Sequence, residues 1–406
     1  MRRKQSSLIV ADGVILDRTD NRCTEFRANT DSNSRRYGGT MAADRFAARR
    51  QKLLHGLKGT GADALLVTNF TNVTYLTGFS GDDSFLVVSK AATVLISDGR
   101  YTTQIGKECP GLDRCIRSQK ESTIAATAGV ICQARVQKLG VESESLTVAE
   151  HEKLAAALKS QTLIPVAGAV EELRLIKDAE ELVEIRKAVR QAEKGFEVLR
   201  AELRGELSEL EVANNLEYSM RQFGARGASF PPIIAVGARA ALPHARPTSC
   251  RISEADFVLI DWGASATSGY KSDLTRVLVT GKISPKLEKL YRVVLNAQLA
   301  GIAAIRLGVR CCDVDAAARR VVDEAGFGKH FNHGLGHGVG LDIHEGLRFN
   351  AVSTEELKPG MIMTVEPGVY FEGWGGVRIE DDVLVTRTGC EVLTSTPKEF
   401  EQSIIQ

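Results

Sequence analysis

The sequence lacks an excess of charge of either sign. Its 52 lysines and arginines meet 51 aspartates and glutamates, a formal net charge of +1 over 406 residues. Nucleic-acid binders carry a basic excess or a basic stripe, so this balance argues against a nucleic-acid partner. Long apolar runs are absent too. No stretch reaches the about 18 residues that a membrane-spanning helix requires, so no membrane association is expected. The N-terminus is basic at Arg2, Arg3 and Lys4, but Leu8-Ile9-Val10-Ala11 falls short of the roughly 7–15 apolar residues of a secretory signal, and Asp12 and Asp17 keep the run from extending. There is no CxxC pair. The eight cysteines (Cys23, Cys109, Cys115, Cys132, Cys250, Cys311, Cys312 and Cys390) are irregularly spaced, and a chain of this length needs no disulfide scaffold. Reduced thiols in a cytoplasmic setting are expected.

What is present is an ordinary globular balance, 43% hydrophobic and 25% charged, in a chain long enough for two domains. Residues 1–40 are polar and aperiodic and are expected to be disordered. The folded chain is expected to begin near Met41, which is itself a candidate translation start. Residues 41–168 alternate helix and strand: a helix at Arg45–Leu57, then strands at Ala64–Thr68, Phe85–Ser89 and Thr93–Ser97. This pattern predicts a small α/β domain. Pro165–Lys177 reads as a connector.

Residues 169–406 predict an α+β domain. Asp178 and Glu181 form a capping box ahead of Leu182, Ile185, Val189, Ala192, Phe196 and Leu199, which share one helical face. Ser208 and Glu211 cap a second helix carrying Val212, Leu216, Met220 and Phe223. Ser284-Pro285 opens a third, running to about Leu307-Gly308. Asp313 opens a fourth, ending near Gly326. Strands are predicted at Phe257–Asp261, Thr275–Thr280, Met361–Glu366 and Val377–Thr386.

Four carboxylates interrupt these apolar runs. Asp261 and Glu366 end two of them, Asp273 precedes a third, and Glu380 sits inside the fourth, where alternation would put it on the same face as Arg378. Taken singly, each reads as a turn or cap residue. Four together do not, because buried unpaired carboxylates are costly and a metal ion is the simplest remedy. Of the seven histidines, three fall in His333-Gly-Leu-Gly-His337-Gly-Val-Gly-Leu-Asp-Ile-His344. His333 and His337 have the spacing of a zinc-binding HExxH helix, but glycine stands where that motif needs glutamate, and four glycines in eight residues disfavour a helix. An extended or looped segment is expected. Four carboxylates with one imidazole form a hard, oxygen-rich donor set. It suits a pair of divalent ions, Mn²⁺ first, with Co²⁺, Fe²⁺ or Zn²⁺ as alternatives. Such a pair can share bridging carboxylates and a hydroxide competent to attack an amide.

In their order and flanks, Asp261, Asp273 (in Gly-Tyr-Lys-Ser-Asp-Leu-Thr-Arg), His337, Glu366 (in Val-Glu-Pro-Gly-Val-Tyr) and Glu380 (in Val-Arg-Ile-Glu-Asp-Asp) resemble the pita-bread metallopeptidases. This family includes methionine aminopeptidase, Xaa-Pro aminopeptidase and Xaa-Pro dipeptidase (prolidase). Asn72-Val-Thr-Tyr-Leu-Thr-Gly-Phe-Ser-Gly81 and Ser97-Asp-Gly-Arg-Tyr101 resemble the creatinase-type N-terminal domain, which methionine aminopeptidases lack. The resemblance implies a pita-bread catalytic domain behind a creatinase-like domain. It implies Asp261 on one metal, His337 and Glu366 on the other, and Asp273 and Glu380 bridging. It further implies His244 facing substrate, His344 stabilising the tetrahedral intermediate, His333 lining the proline pocket, Arg378 holding the site's hydrogen bonds, and Glu366 doubling as proton shuttle. Asp261 and Asp273 stand twelve apart, one more than is usual in the family, and the extra residue falls in Ser265-Ala-Thr-Ser268.

The expected activity is that of an Xaa-Pro aminopeptidase acting on peptides with proline second, in a homodimer. An Xaa-Pro dipeptidase is the alternative. It must also bind its substrate's free carboxylate, for which Arg246 and Arg348 are candidates. A non-catalytic peptide-binding module would be expected to have lost ligands, and creatinase, which shares the two-domain design, lacks them. All five are present here.

Overall fold

The computed structural model describes residues 40–405; the extension expected to be disordered lies outside them apart from Thr40. The chain divides into two compact units between Ala169 and Val170.

The first unit is a six-stranded mixed sheet with helices. Its strands are β1 (Ala64–Val67), β2 (Phe85–Ser89), β3 (Thr93–Asp98), β4 (Asp113–Arg117), β5 (Lys138–Glu142) and β6 (Thr162–Val166), in the order β4-β3-β2-β1-β5-β6. The helices are α1 (Thr40–Gly56), α2 (Phe70–Thr77), α3 (Thr102–Glu108), α4 (Thr123–Gln133) and α5 (Val148–Ala157). β1 is buried along its whole length, as a central strand covered on both faces must be. Glu142, at the end of β5, accepts the Thr68 and Asn69 amides at 2.6 and 2.8 Å and so holds the entry to α2.

The second unit opens with α6 (Glu171–Arg174), inside the segment expected to be a plain connector, and α7 (Ala179–Glu202). The expected capping box of Asp178 and Glu181 starts α7. α8 (Glu209–Gln222) buries Val212, Leu216 and Met220. Phe223, expected on that face, is 41% exposed, because it caps the helix end after the periodicity has stopped. α9 (Pro285–Ala304) stops short of Leu307. α10 (Cys311–Glu324) begins before Asp313, which lies in its first turn, where its charge favours the helix N-terminus.

Three strands, β8 (Ile233–Val236), β9 (Phe257–Trp262) and β11 (Leu274–Val279), form an antiparallel sheet in the order β11-β9-β8. One parity of this sheet (Ile234, Val258, Ile260, Trp262, Leu274, Leu278) packs on α7 and α8. The Trp262 ring stacks on Phe196 with centroids 4.2 Å apart, and its indole N–H donates to the Ala192 carbonyl at 3.0 Å. The other parity (Ala235, Leu259, Val277, Val279) joins the core of α9, α10 and a second sheet. A two-stranded ribbon of β7 (Gly227–Ala228) and β10 (Ala264–Ser265) extends the first sheet's rim.

The second sheet contains β12 (Gly336–Gly338), β13 (Glu345–Phe349), β14 (Ile362–Val365), β17 (Asp381–Val385) and β18 (Cys390–Val392), ordered β13-β12-β14-β17-β18. Between β14 and β17 the chain forms a separate hairpin, β15 (Gly368–Phe371) with β16 (Gly375–Arg378). The run Val377–Thr386, expected as one strand, is therefore two strands in two sheets. The alternation lapses where Glu380-Asp381-Asp382 stand together, at the joint between the two strands. No helix among the described residues is long and apolar enough to cross a membrane, and the seven cysteines among them are free.

Candidate metal centre

The site forms between the three-stranded and five-stranded sheets of the second unit, where apolar alternation gives way to charge. Asp261 shares the parity of Phe257 and Leu259 on β9. In the β9–β11 register Asp261 opposes Thr275, and Asp273 is two residues from Thr275. Both aspartates therefore fall on one face. The extra residue between them is absorbed at the hairpin tip, where the Ala266 amide donates to the Tyr270 carbonyl and Gly269 turns back onto Ala266. It leaves the paired register untouched.

From the opposite sheet come His337, on β12, and Glu366, just past β14. Gly336 is required beside His337, since a Cβ there would lie 2.0 Å from the Thr364 carbonyl oxygen. The His337 Nε2 lies 3.6 Å from Asp273 Oδ2 and 3.4 Å from Glu366 Oε1. Glu380 projects from the joint between β16 and β17, and its backbone forms an isolated bridge with Thr275. Asp273, His337 and Glu380 each offer one ligand atom within 4.8 Å of the other two.

Asp261, Asp273, His337 and Glu380 are 2–7% exposed, and their electrostatics call for a cation. Burial, then repulsion from Glu380, drives the Asp273 carboxyl well above the usual range. Burial, then Glu366 and Asp261, does the same to Glu380. Burial also raises Asp261, opposed by Arg378, and lifts Glu366 to about 7. The His337 imidazole is pushed down to about 3, chiefly by burial, and so is neutral. Its Nδ1 sits 3.1 Å from the Gly338 carbonyl, which assigns the ring proton to Nδ1 and leaves a lone pair on Nε2. That lone pair faces the carboxyl groups of Asp273 and Glu366. One Asp261 oxygen, Oδ1, is buried without a hydrogen-bond partner. A buried set of acceptors facing acceptors fits divalent cations.

A ring of hydrogen bonds holds these side chains. Arg378 donates through Nη2 to Asp261 at 2.5 Å, through Nη1 to the Tyr370 hydroxyl at 2.7 Å and through Nε to Thr275 Oγ1 at 3.1 Å. The Thr275 hydroxyl donates onward to Glu380 at 2.7 Å. The Tyr370 hydroxyl lies 3.1 Å from His333 Nε2, whose other nitrogen is 2.7 Å from the Gly334 carbonyl. Burial holds His333 neutral, near 4. Thr364 accepts the His337 amide at 3.0 Å and donates to Glu366 at 3.2 Å. Asp382, paired with Thr364 across the strands, accepts the Asp273 amide at 3.0 Å.

Thr275, Thr364, Tyr370 and Asp382 went unnoticed in the sequence, although Thr275, Tyr370 and Asp382 lie inside the motifs quoted above. Their signal was a polar residue at the parity of the ligands in otherwise apolar strands. Arg378 and Glu380 do converge on the site, but from either side of a strand break rather than from one strand face.

The centre opens into a cleft of about 640 Å³. His244, His333 and His344 all line it, with Pro231, Pro232 and Phe349 as apolar wall. The His344 ring packs edge-on to His337 with centroids 4.4 Å apart. Arg246 and Arg348 are exposed at the cleft wall.

Residues 183–387 match the model of metallopeptidase family M24, and residues 49–176 match that of the Creatinase/Prolidase N-terminal domain. The chain belongs to metallopeptidase family M24 and is, with that family, a metallo-exopeptidase of α+β pita-bread fold that depends on a pair of metal ions. It is 38% identical to an Xaa-Pro dipeptidase from Bacillus anthracis, with a TM-score of 0.84 over 87% of this chain and 99% of the other. A prolidase from Pyrococcus horikoshii OT3 is 32% identical, with a TM-score of 0.80 over 87% and 99%. An X-Pro aminopeptidase from Thermotoga maritima MSB8 is 31% identical, with a TM-score of 0.79 over 86% and 99%.

Proposed function

We propose that the protein is an Xaa-Pro dipeptidase, a prolidase, rather than the aminopeptidase that the motifs first suggested. The observation that carries this reading is the charge of the cleft wall. Outside the metal centre its charged side chains are Arg246 and Arg348, and neither forms an ion pair or side-chain hydrogen bond among the described residues. A free C-terminal carboxylate, which a dipeptide always presents near the scissile bond, supplies the missing partner. The similarity to the Bacillus anthracis dipeptidase and the Pyrococcus horikoshii prolidase supports the same reading.

In this proposal Asp261, Asp273, His337, Glu366 and Glu380 would together hold the pair of ions. Mn²⁺ is the proposed occupant, because the donor set is mainly carboxylate oxygen. When bound, the ions supply an activated water and polarise the carbonyl under attack. Arg378 fixes the Asp261 carboxylate, while Thr275 fixes Glu380. Glu366, steadied by Thr364, carries a proton between the water and the leaving proline nitrogen. His344, beside His337 and open to the cleft, donates to the oxygen on which negative charge develops. His244 orients the substrate from the opposite wall. His333, locked as an acceptor of the Tyr370 hydroxyl, shapes the pocket for the proline ring.

The test is hydrolysis of Leu-Pro against Leu-Pro-Gly by the Mn²⁺-loaded protein. We expect the dipeptide to be cleaved at least about tenfold more efficiently, the discrimination that one recovered ion pair supplies. Equal or better cleavage of the tripeptide assigns an aminopeptidase instead. A protein that retains no divalent ion and cleaves neither is a binding module.

A further inference from the structure

The loop that delivers His344 to the cleft runs between β12 and β13, and a buried ionic cluster underlies it. Glu345, next to His344, turns its carboxylate away from the cleft. Its Oε1 accepts from Arg174 Nη2 at 2.5 Å and from the Asp342 amide at 3.1 Å, and its Oε2 accepts from Lys177 Nζ at 3.1 Å. Arg174 also donates to Asp342 Oδ2 at 2.7 Å. The side chains of Arg174, Lys177 and Glu345 are 4%, 2% and 5% exposed. Both cations come from α6 and the residues just after it. That segment is anchored in turn, since the Lys177 amide donates to the Gly360 carbonyl at 2.9 Å and Leu175 packs so closely that a Cβ on Gly346 would lie 2.0 Å from it.

None of these groups touches the metal centre or lines the cleft. Charges are rarely buried without a reason, because an apolar replacement of equal volume is commonly as stable. The cluster does what an apolar contact does not. It fixes the direction of one side chain, with two cations on one carboxylate and a loop amide on the same oxygen. The neighbouring residue is thereby fixed too.

We propose that Arg174, Lys177 and Glu345 are positioning residues for His344, an ionic lock that holds its imidazole against His337 and over the reacting carbonyl. The inference rests on the role given to His344 above. It makes turnover, not metal affinity or substrate affinity, the property that depends on the lock.

The experiment is a double-mutant cycle on the Mn²⁺-loaded full chain, with Leu-Pro as substrate and with metal content and melting temperature measured for each variant. Glu345→Gln removes the carboxylate from buried Lys177 and leaves Arg174 with Asp342, and can unfold the chain. Lys177→Met, which keeps the Arg174–Glu345 pair, therefore carries the test on its own. We expect Lys177→Met to lower kcat on the order of 10- to 100-fold, the cost of a displaced catalytic group, with KM and metal content unchanged. Added to His344→Ala, it should lower kcat no further. If His344→Ala itself turns over at the full rate, the role of His344 is wrong and the lock has nothing to position. If His344→Ala is impaired while Lys177→Met keeps the original kcat, or if the two losses multiply, the positioning inference alone is overturned.

Discussion

Thr275 shows how much of this centre depends on single side chains that are not themselves ligands. Its hydroxyl accepts from Arg378 and donates to Glu380, so Thr275→Val removes one group and strands two. Leaving a buried partner unsatisfied costs about 1–3 kcal/mol, and Mn²⁺ affinity should fall with melting temperature; calorimetric titration and thermal melts of the variant check both. The proposed ligands should respond more sharply. Asp261→Asn and Glu380→Gln each neutralise a carboxylate that the ions require, and we expect loss of bound metal and at least about a hundredfold loss of activity. His344→Ala should lose turnover while keeping its metal, and elemental analysis of the purified variants separates the two outcomes. At this scale the sequence was informative wherever a polar residue broke an apolar run, as at Asp261, Asp273 and Glu366. It was silent about Arg174, Lys177 and Glu345, because a buried ion cluster assembled from segments some 170 residues apart leaves no local pattern.

Among the elements, those with a strong local signal were legible. The capping box at Asp178, the Ser284-Pro285 helix start and the strand over Phe257–Asp261 all stand where the pattern put them. The strand that was misread is instructive. Val377–Thr386 loses its alternation at Glu380-Asp381-Asp382, and the partners of its halves, β15 for one and β14 for the other, separate it into two strands. The loop before β13 carries a prediction of its own. Glu345, which titrates near 4.5 when free, is held at about 2; burial opposes its ionisation, and Lys177 and Arg174 more than reverse that. A depressed folded-state value means stabilisation that is complete above the free value and lost as pH falls through the folded one. Its size is on the order of 3 kcal/mol. The stability gap between the wild-type chain and Glu345→Gln should therefore be wide at pH 6 and should narrow between about pH 4.5 and pH 2, as followed by urea denaturation at each pH.

For the molecule as a whole, the two-unit design was visible in the change of motif along the chain. The facing of two sheets across the centre was not, since long-range topology is written in no window of residues. The apo protein holds a cluster of carboxylates whose mutual repulsion burial makes worse. Metal binding should relieve it and stabilise the fold by about 2.7 kcal/mol when free ion stands at a hundred times its dissociation constant. A chelator should lower the melting temperature, and Mn²⁺ should restore it.

The seat of Glu380 has a mechanical side. It stands at a joint where the backbone leaves one sheet for another. Asp261 and Asp273 reach toward it from one layer, His337 and Glu366 from the layer opposite. Ions held among these five, as proposed, would rivet the layers together at a point where the backbone joins them only through the isolated Thr275–Glu380 bridge. Stripping the rivets should loosen that seam before any helix melts. Deuterium uptake should rise first in the amides of 376–382 and 271–275, with those of α9 still protected.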